Sequence, residues 1–105
     1  KKRAHEPGSR TLMRIVVEVL QKNGGTLTYT QVVYMVLFKL DLPFKLFKKA
    51  RTEIGFSGVY LRKIGVLKTD SKKGIWELNN DYMNFSFEEV KRITYDKYDI
   101  NLGRK

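Results

Sequence analysis

The stretch "LKTDSKKGIWEL", residues 67–78, decides the fold because it reverses the chain between two apolar runs. Its middle is rich in turn-forming residue types, and its ends carry the aliphatic and aromatic side chains that favour strands. We therefore predict a β-hairpin with strands at 66–69 and 75–78. The turn also holds Lys72 and Lys73, although a chain reversal does not need paired positive charge. This pair suggests an anionic partner.

Upstream of the hairpin, apolar residues recur at the spacing of three amphipathic helices. Capping residues and glycines indicate where the helices begin and end. Residues 43–53 fit either a short helix or an irregular segment leading into the third helix. The predicted elements are a helix from Ser9 to Asn23-Gly24-Gly25, a short strand at Thr26-Leu27, a second helix capped by Thr28 or Thr30 and ended by Asp41-Leu42-Pro43, and a third helix at 54–65.

Downstream of the hairpin, Ser86-Phe87-Glu88-Glu89 matches the capping box S-x-x-E. It predicts a last helix from about Phe87 to Tyr95. The sequence thus divides into three predicted parts, which are a flexible basic arm at 1–8, a folded domain at 9–80, and a C-terminal helix and tail at 81–105.

The order of these elements is that of a winged helix-turn-helix, a mainly α fold with a small β-hairpin, followed here by an extra C-terminal helix. In that fold the third helix enters the DNA major groove, and the hairpin reaches the phosphate backbone or the minor groove. Lys72 and Lys73 are then placed to meet phosphate. Trp76 is expected to pack its strand onto the core, since a tryptophan at such a position is more often core than surface.

Composition limits the classes of function. The chain has 105 residues and no cysteine, so disulfides, thiolate zinc sites and cysteine nucleophiles are excluded. Its net charge is +10, and residues 45–73 hold nine lysines and arginines against two acids. Such a balance favours a nucleic-acid partner. The apolar runs are too short to span a membrane, and an intracellular location in the cytoplasm or nucleoid is expected.

Several short motifs resemble the N-terminal winged-helix domain of Mrr-type restriction proteins over about residues 12–80. The resemblance implies a DNA-recognition module, with a catalytic domain tethered to it, in a protein that acts on foreign or modified DNA. Phe56, where the family often has tryptophan, and a short linker before the third helix depart from the pattern. The matching motifs are Val16 to Gly25, Ile54-Gly55-Phe56, Tyr60-Leu61-Arg62-Lys63, Gly65-Val66-Leu67 and Lys73-Gly74-Ile75-Trp76.

The predicted partner is double-stranded DNA, plain or carrying a modified base. Arginine can pair with guanine, glutamate can accept from cytosine, and a threonine methyl can contact thymine. Lysines neutralise phosphate. Arg62 and Lys63 lie further along the third helix and are expected to be out of reach of the bases. The candidate DNA-binding residues are Lys48, Lys49, Arg51, Thr52, Glu53, Ser57, Lys72 and Lys73. Tyr29 and Gln31 either donate hydrogen bonds to DNA phosphates or serve as cap and core residues.

No catalytic, metal or cofactor site is predicted. Glu89-Val90-Lys91, with Asp81 upstream, matches the D/E-x-K triplet of restriction nucleases, but three residues match easily by chance. His5 is the only histidine and lies in the arm. Asp96 and Asp99 are too few ligands for calcium or zinc.

The alternative function is protein–protein interaction or dimerisation through the aromatics Tyr82, Phe85 and Tyr95. Recognition of RNA or single strands would require exposed aromatics on a larger sheet. The salt dependence of binding distinguishes DNA binding from protein–protein interaction, because DNA affinity falls steeply with salt and the affinity of an apolar interface does not.

Overall fold

The computed structural model describes residues 9–86, 88–90 and 92, and these form a mostly helical domain with a small antiparallel sheet. The elements are α1 (Ser9–Lys22), β1 (Thr26–Thr28), α2 (Tyr29–Leu40), a 3-10 turn (Phe44–Leu46), α3 (Phe47–Lys63), β2 (Ile75–Glu77) and a second 3-10 turn (Asn80–Tyr82). Residues 88–90 and 92 are also helical. The predicted arm at 1–8 and most of the tail lie outside the described residues.

One apolar core is formed where the three helices and the sheet meet. The apolar spacing of α1 predicted from the sequence is confirmed, because its aliphatic positions face α2 and α3. Burial of this surface is the main favourable term in folding. The buried side chains include Leu12, Val16, Leu20, Val32, Val33, Val36, Ile54, Leu61, Val66, Leu67, Trp76 and Leu78.

The sheet joins the start of α2 to the hairpin. β1 pairs antiparallel with β2, so that Leu27 lies opposite Trp76. On the other side, Leu67 forms a bridge with Leu78, and the amide of Lys68 donates to the carbonyl of Glu77 at 2.8 Å. The predicted hairpin therefore exists, but its first strand is a single bridge and the longer pairing of β2 is with β1.

The third helix is longer than predicted and begins seven residues earlier, at Phe47 rather than at 54. The 3-10 turn at Phe44–Leu46 leads directly into it, and the amide of Phe47 donates to the carbonyl of Phe44. Residues 43–53, which fitted two structures in sequence, thus contain a short helical turn and the first two turns of α3. Most of the candidate DNA-binding residues consequently lie within a helix rather than before one.

The capping box predicted at Ser86 is confirmed, and a second box caps α2 at Thr28, one of the two residues predicted as its cap. Thr28 caps α2, because its hydroxyl accepts from the amide of Gln31 at 3.1 Å while the Gln31 side chain accepts from the Thr28 amide at 2.9 Å. The same reciprocal pair joins Ser86 and Glu89, with distances of 2.8 and 3.2 Å. Glu89 therefore acts as a capping residue. Phe87, Lys91 and the predicted helix end at Tyr95 are outside the described residues.

Within the described residues, no helix combines the length and the hydropathy needed to cross a bilayer.

Candidate nucleic-acid interface

α3 presents one continuous exposed stripe. At 3.6 residues per turn, five exposed positions of α3 fall within about 80° of one another around the helix axis. A basic residue lies at each end of this set, and the positions between them are largely apolar. We call this set the α3 stripe; it consists of Lys48, Thr52, Phe56, Val59 and Lys63.

Ser57 is a wrong assignment as a DNA-contacting residue. It lies on the core side of α3 with Ile54 and Leu61, and it is only 2% exposed. Its hydroxyl donates to the carbonyl of Glu53 at 3.3 Å. A helix enters a groove with its solvent face, so a buried serine cannot reach a base.

Arg51 lies beside the stripe, where it heads a stack of four side chains. Its guanidinium lies 4.7 Å from the ring centroid of Tyr29, and the Tyr29 ring stacks on Trp76 at 5.0 Å. The guanidinium of Arg62 then lies 5.2 Å from the Trp76 ring. Eleven residues of helix rise about 16.5 Å, which matches three such steps. The stack therefore runs along α3 and is attached to it at both ends. We call it the Arg–aromatic stack.

Two glycines of α3 make room for this stack. Gly55 and Gly58 lie between the two arginines on the same side of the helix. A Cβ at Gly55 would come within 2.6 Å of the Tyr29 hydroxyl, and one at Gly58 would overlap the Trp76 ring. In sequence both glycines weaken the helix, and Gly58 is also small enough to allow close packing. In the fold they allow the two rings to contact the α3 backbone.

The hairpin turn is connected to the same corner of the molecule. The amide of Tyr29 donates to the carbonyl of Gly74 at 2.8 Å, and the Tyr29 hydroxyl donates to the carbonyl of Arg51. Gly74 has a φ of 82°, a conformation that favours glycine. Lys72 and Lys73 precede it and are both exposed. The structure thus brings Tyr29, Arg51 and the lysine turn together.

Other predicted residues lie elsewhere. The side-chain oxygen of Gln31 accepts a hydrogen bond from the Thr28 amide in the cap of α2. Around the axis of α3, Lys49 lies about 20° beyond Phe56 at the edge of the stripe and Glu53 about 60° beyond Phe56. Both line an apolar cleft between α2 and α3. Glu53 therefore does not lie beside Arg51, so the contacts predicted for Arg51 with guanine and for Glu53 with cytosine do not fall on one face of α3. The reason is that helical rotation separates adjacent residues by about 100°.

Glu77 stabilises the hairpin turn from below. Its carboxylate accepts from the Lys68 ammonium at 3.1 Å and from the Ser71 hydroxyl at 3.1 Å. These hydrogen bonds, that of Lys68 first, hold the pKa of the Glu77 carboxyl below its ordinary value of 4.5. The ionised form is therefore the one that joins the two ends of the turn.

We expect the order of this turn to depend on pH through Glu77. A lowered folded pKa means that the stabilisation is present above the ordinary carboxyl pKa and is lost as the pH falls through the lowered value. Hydrogen-exchange protection of the Lys68 and Ile75 amides, corrected for intrinsic rates, should fall on acidification. Glu77→Gln should show low protection already at neutral pH, whereas Glu18→Gln on α1 should not. Protection of the wild-type amides that stays equal from neutral pH to below the Glu77 pKa would contradict the role of ionised Glu77 in the turn.

No cluster of three metal-ligating side chains is present in the part of the chain that the structure describes. Asp81 lies exposed in the second 3-10 turn. Glu89 forms the capping box with Ser86.

Sequence reasoning favoured core positions for Phe44 and Phe56, with stacking on bases as the alternative, and it did not single out Phe38 or Val59. Phe56 and Val59 are 61% and 54% exposed, and Phe38 on α2 is 87% exposed. Hydropathy alone assigns such residues to the core. For Phe56 and Val59 a signal existed, because both lie on the opposite side of the helix from Ile54 and Leu61.

A separate aromatic cluster covers the junction of α2 and α3. The rings of Tyr34, Phe44 and Phe47 lie 5.1 to 5.9 Å from one another, and Tyr34 and Phe44 are exposed. By contrast Tyr82 and Phe85, proposed from sequence as an interface, contact each other at 4.8 Å and pack against the core. Both are partly buried rather than fully exposed, so an interface through them stays a prediction, and Tyr95 is outside the described residues.

Comparisons of the chain with protein-family models, with curated proteins and with solved structures found no match in any of the three. Function is therefore inferred from the geometry and charge of the described residues, together with the short motifs noted in the sequence.

Proposed function

We propose that this domain is a winged helix that binds double-stranded DNA, with α3 in the major groove and the hairpin turn on the phosphate backbone. The observation that carries the proposal is that exposed positive charges from the hairpin turn and from α3 lie close together, beside the start of α2. The Lys72-Lys73 turn is hydrogen-bonded to the start of α2, and Arg51 of α3 lies over Tyr29 at the same point. Basic residues grouped beside an exposed helix face are the electrostatic signature of a DNA contact surface.

The order of the elements supports the same proposal. A helix, a short strand, two further helices and a hairpin follow one another, and β2 pairs with β1. A winged helix has this order, and its third helix and hairpin contact the same duplex. The resemblance to the N-terminal domain of Mrr-type restriction proteins extends the proposal, since it makes this domain the DNA-recognition part of a larger nuclease or regulator.

Within this arrangement the structure changes the role proposed for Arg51. Its guanidinium lies over the Tyr29 ring, on the hairpin side of the α3 stripe. We assign it to phosphate rather than to guanine. Thr52 remains a candidate for base contact because it lies in the stripe itself.

The hairpin lysines provide the direct test of the proposal. Changing Lys72 and Lys73 together to alanine removes two phosphate contacts, so affinity for any duplex should fall roughly 60-fold at 0.1 M salt. The loss should be equal for different sequences, because phosphate contacts carry no sequence information. The measurement is anisotropy of a dye-labelled duplex of about 20 base pairs.

A matched control removes the same charge elsewhere. Lys22 and Lys39 both contact the Glu18 carboxylate at 3.2 Å, and Lys39 lies at the opposite end of α2 from Tyr29. Their double alanine variant should bind nearly as well as the wild type, because charges further than about 10 Å are screened at this salt. Normal binding by the hairpin variant, or equal loss in both variants, would rule out the proposed orientation on DNA.

The aromatic cluster supports a second candidate function, protein–protein interaction. Tyr34 and Phe44 of the cluster are 48% and 64% exposed, and Phe38, which lies outside the cluster one turn along α2 from Tyr34, is 87% exposed. Aromatic residues are enriched at interfaces. Under this function the domain should self-associate or bind a protein in a manner that high salt does not weaken. Sedimentation equilibrium of the wild type and of a Phe38→Ala, Phe44→Ala variant separates the two. A salt-resistant dimer lost in the variant would favour interaction through this cluster.

A further inference from the structure

We propose that the centre of the α3 stripe recognises the 5-methyl groups of thymines in the major groove, with Thr52, Phe56 and Val59 as the contacting residues. This inference rests on the proposed DNA binding and adds to it the chemical feature that is recognised.

The centre of the stripe presents carbon to solvent rather than hydrogen-bonding groups. Phe56 and Val59 are 61% and 54% exposed although both are apolar. Thr52 is exposed too, but its hydroxyl donates to the carbonyl of Lys48 at 3.3 Å within the helix. The methyl group is the part of Thr52 that this hydrogen bond leaves for contact with a partner.

Such a surface matches one feature of the major groove. Guanine, adenine and cytosine display hydrogen-bond donors and acceptors there, whereas thymine also displays a methyl group. Apolar side chains, including threonine methyl and phenylalanine, contact that group. Burial of an apolar side chain against it raises affinity, and an unpaired polar base edge facing the same side chain would lower it. The stripe should therefore prefer A·T pairs in a defined orientation.

The spacing of the three residues fits successive base pairs. Seven residues separate Thr52 from Val59, a rise of about 10.5 Å along the helix. Base pairs along one strand are about 3.4 Å apart, so this length corresponds to about three steps. Three contacts on one helix face can thus meet a short run of neighbouring pairs.

The charges around the stripe select DNA as the occupant. Lys48 and Lys63 lie at its two ends, about 22 Å apart along the helix axis, and the major groove is about 12 Å wide. Both lysines can therefore approach the phosphates that border the groove while the apolar centre faces the bases. A second copy of this chain is disfavoured as the occupant, because each copy carries a net charge of +10.

The test replaces thymine by deoxyuridine, which removes the methyl group and leaves the hydrogen-bonding edge unchanged. The two probes are an alternating A·T duplex of about 20 base pairs and the same duplex with uracil at every thymine. Each buried methyl group is worth roughly fourfold in affinity, so two contacts predict roughly 15-fold tighter binding of the thymine duplex. Both affinities are measured at one salt concentration.

The variant Phe56→Ala, Val59→Ala should abolish most of this preference while it still binds DNA. Both side chains are largely exposed, so the variant should fold, and its thermal unfolding provides the check. Phe38→Ala is the matched control, because it removes a still more exposed phenylalanine from α2 and should leave the thymine-to-uracil ratio unchanged.

The outcomes separate this inference from the proposed function. Salt-dependent binding with equal affinity for the two duplexes would overturn methyl recognition and leave DNA binding intact. An unchanged ratio in the Phe56, Val59 variant would also overturn it. Failure to bind any duplex would overturn both proposals.

Discussion

Trp76→Ala is expected to destabilise the domain by about 3–5 kcal/mol, which is the usual cost of truncating a buried large aromatic. A domain of this size commonly has only about 5–15 kcal/mol of stability. The variant should therefore unfold at a clearly lower urea concentration than the wild type. Urea unfolding followed by circular dichroism gives the free energy directly.

The expected cost is large because the ring has a partner on every side. Trp76 is 4% exposed, it stacks on Tyr29, and it lies under Arg62. Gly58 leaves room for the ring against the α3 backbone. Truncation to alanine would leave a cavity between α3 and β2 that a helix backbone cannot easily close.

An exposed phenylalanine gives the comparison. Phe38→Ala should change the unfolding free energy by no more than about 0.5 kcal/mol, because exposed side chains of this kind contribute little. An unfolding midpoint of Trp76→Ala equal to that of the wild type would contradict the burial. Full stability combined with lost duplex binding would instead make Trp76 a residue that stacks on bases.

Duplex affinity is expected to fall roughly 500- to 2,000-fold between 50 and 200 mM salt. Five or six cations are counted as phosphate contacts, and about 0.9 counterions are released for each contact, so the logarithmic slope should be roughly −4.5 to −5.5. The cations counted are Lys48, Lys49, Arg51, Lys63, Lys72 and Lys73. A titration of the labelled duplex across this salt range measures the slope.

The hairpin variant sharpens this measurement. Removal of Lys72 and Lys73 should reduce the magnitude of the slope by about 1.8, while removal of Lys22 and Lys39 should leave it unchanged. A slope near zero for the wild type would eliminate DNA as the partner and would favour association through the aromatic cluster.

The order of helices and strands could be predicted because most of the boundaries have a local cause. Thr28 with Gln31, and Ser86 with Glu89, form capping boxes within four residues of sequence. Asp41 ends α2 in a left-handed conformation next to a proline-containing break. Signals of this kind need no knowledge of the tertiary structure.

The start of α3 could not be predicted, because its cause is not local. The helix begins at Phe47 without a side-chain cap, after a 3-10 turn, and Phe47 packs against the core and against Tyr34. Its first turn contains no acidic residue, which a sequence signal for a helix start would include. Tertiary contacts thus decide where this helix begins.

The candidate interface was only partly predictable for a related reason. Charge marked Lys72 and Lys73, and they are exposed. Exposure of Phe56 and burial of Ser57 depend instead on the rotation of α3 about its axis, which places Ile54 and Leu61 in the core and Gly58 against Trp76. The sequence indicates that Gly58 allows close packing, but it does not identify Trp76 as the partner, because the two residues are distant in sequence.

The Arg–aromatic stack also gives the protein an intrinsic optical reporter. Trp76 is the only tryptophan of the chain, and it lies where the hairpin strand meets α3. Tryptophan fluorescence therefore comes from one site, where the indole contacts the Tyr29 ring and the Arg62 guanidinium. Separation of the hairpin from α3 would expose the indole to water and move the emission to longer wavelength. A ligand that only tightens this junction would change the intensity and leave the wavelength in place.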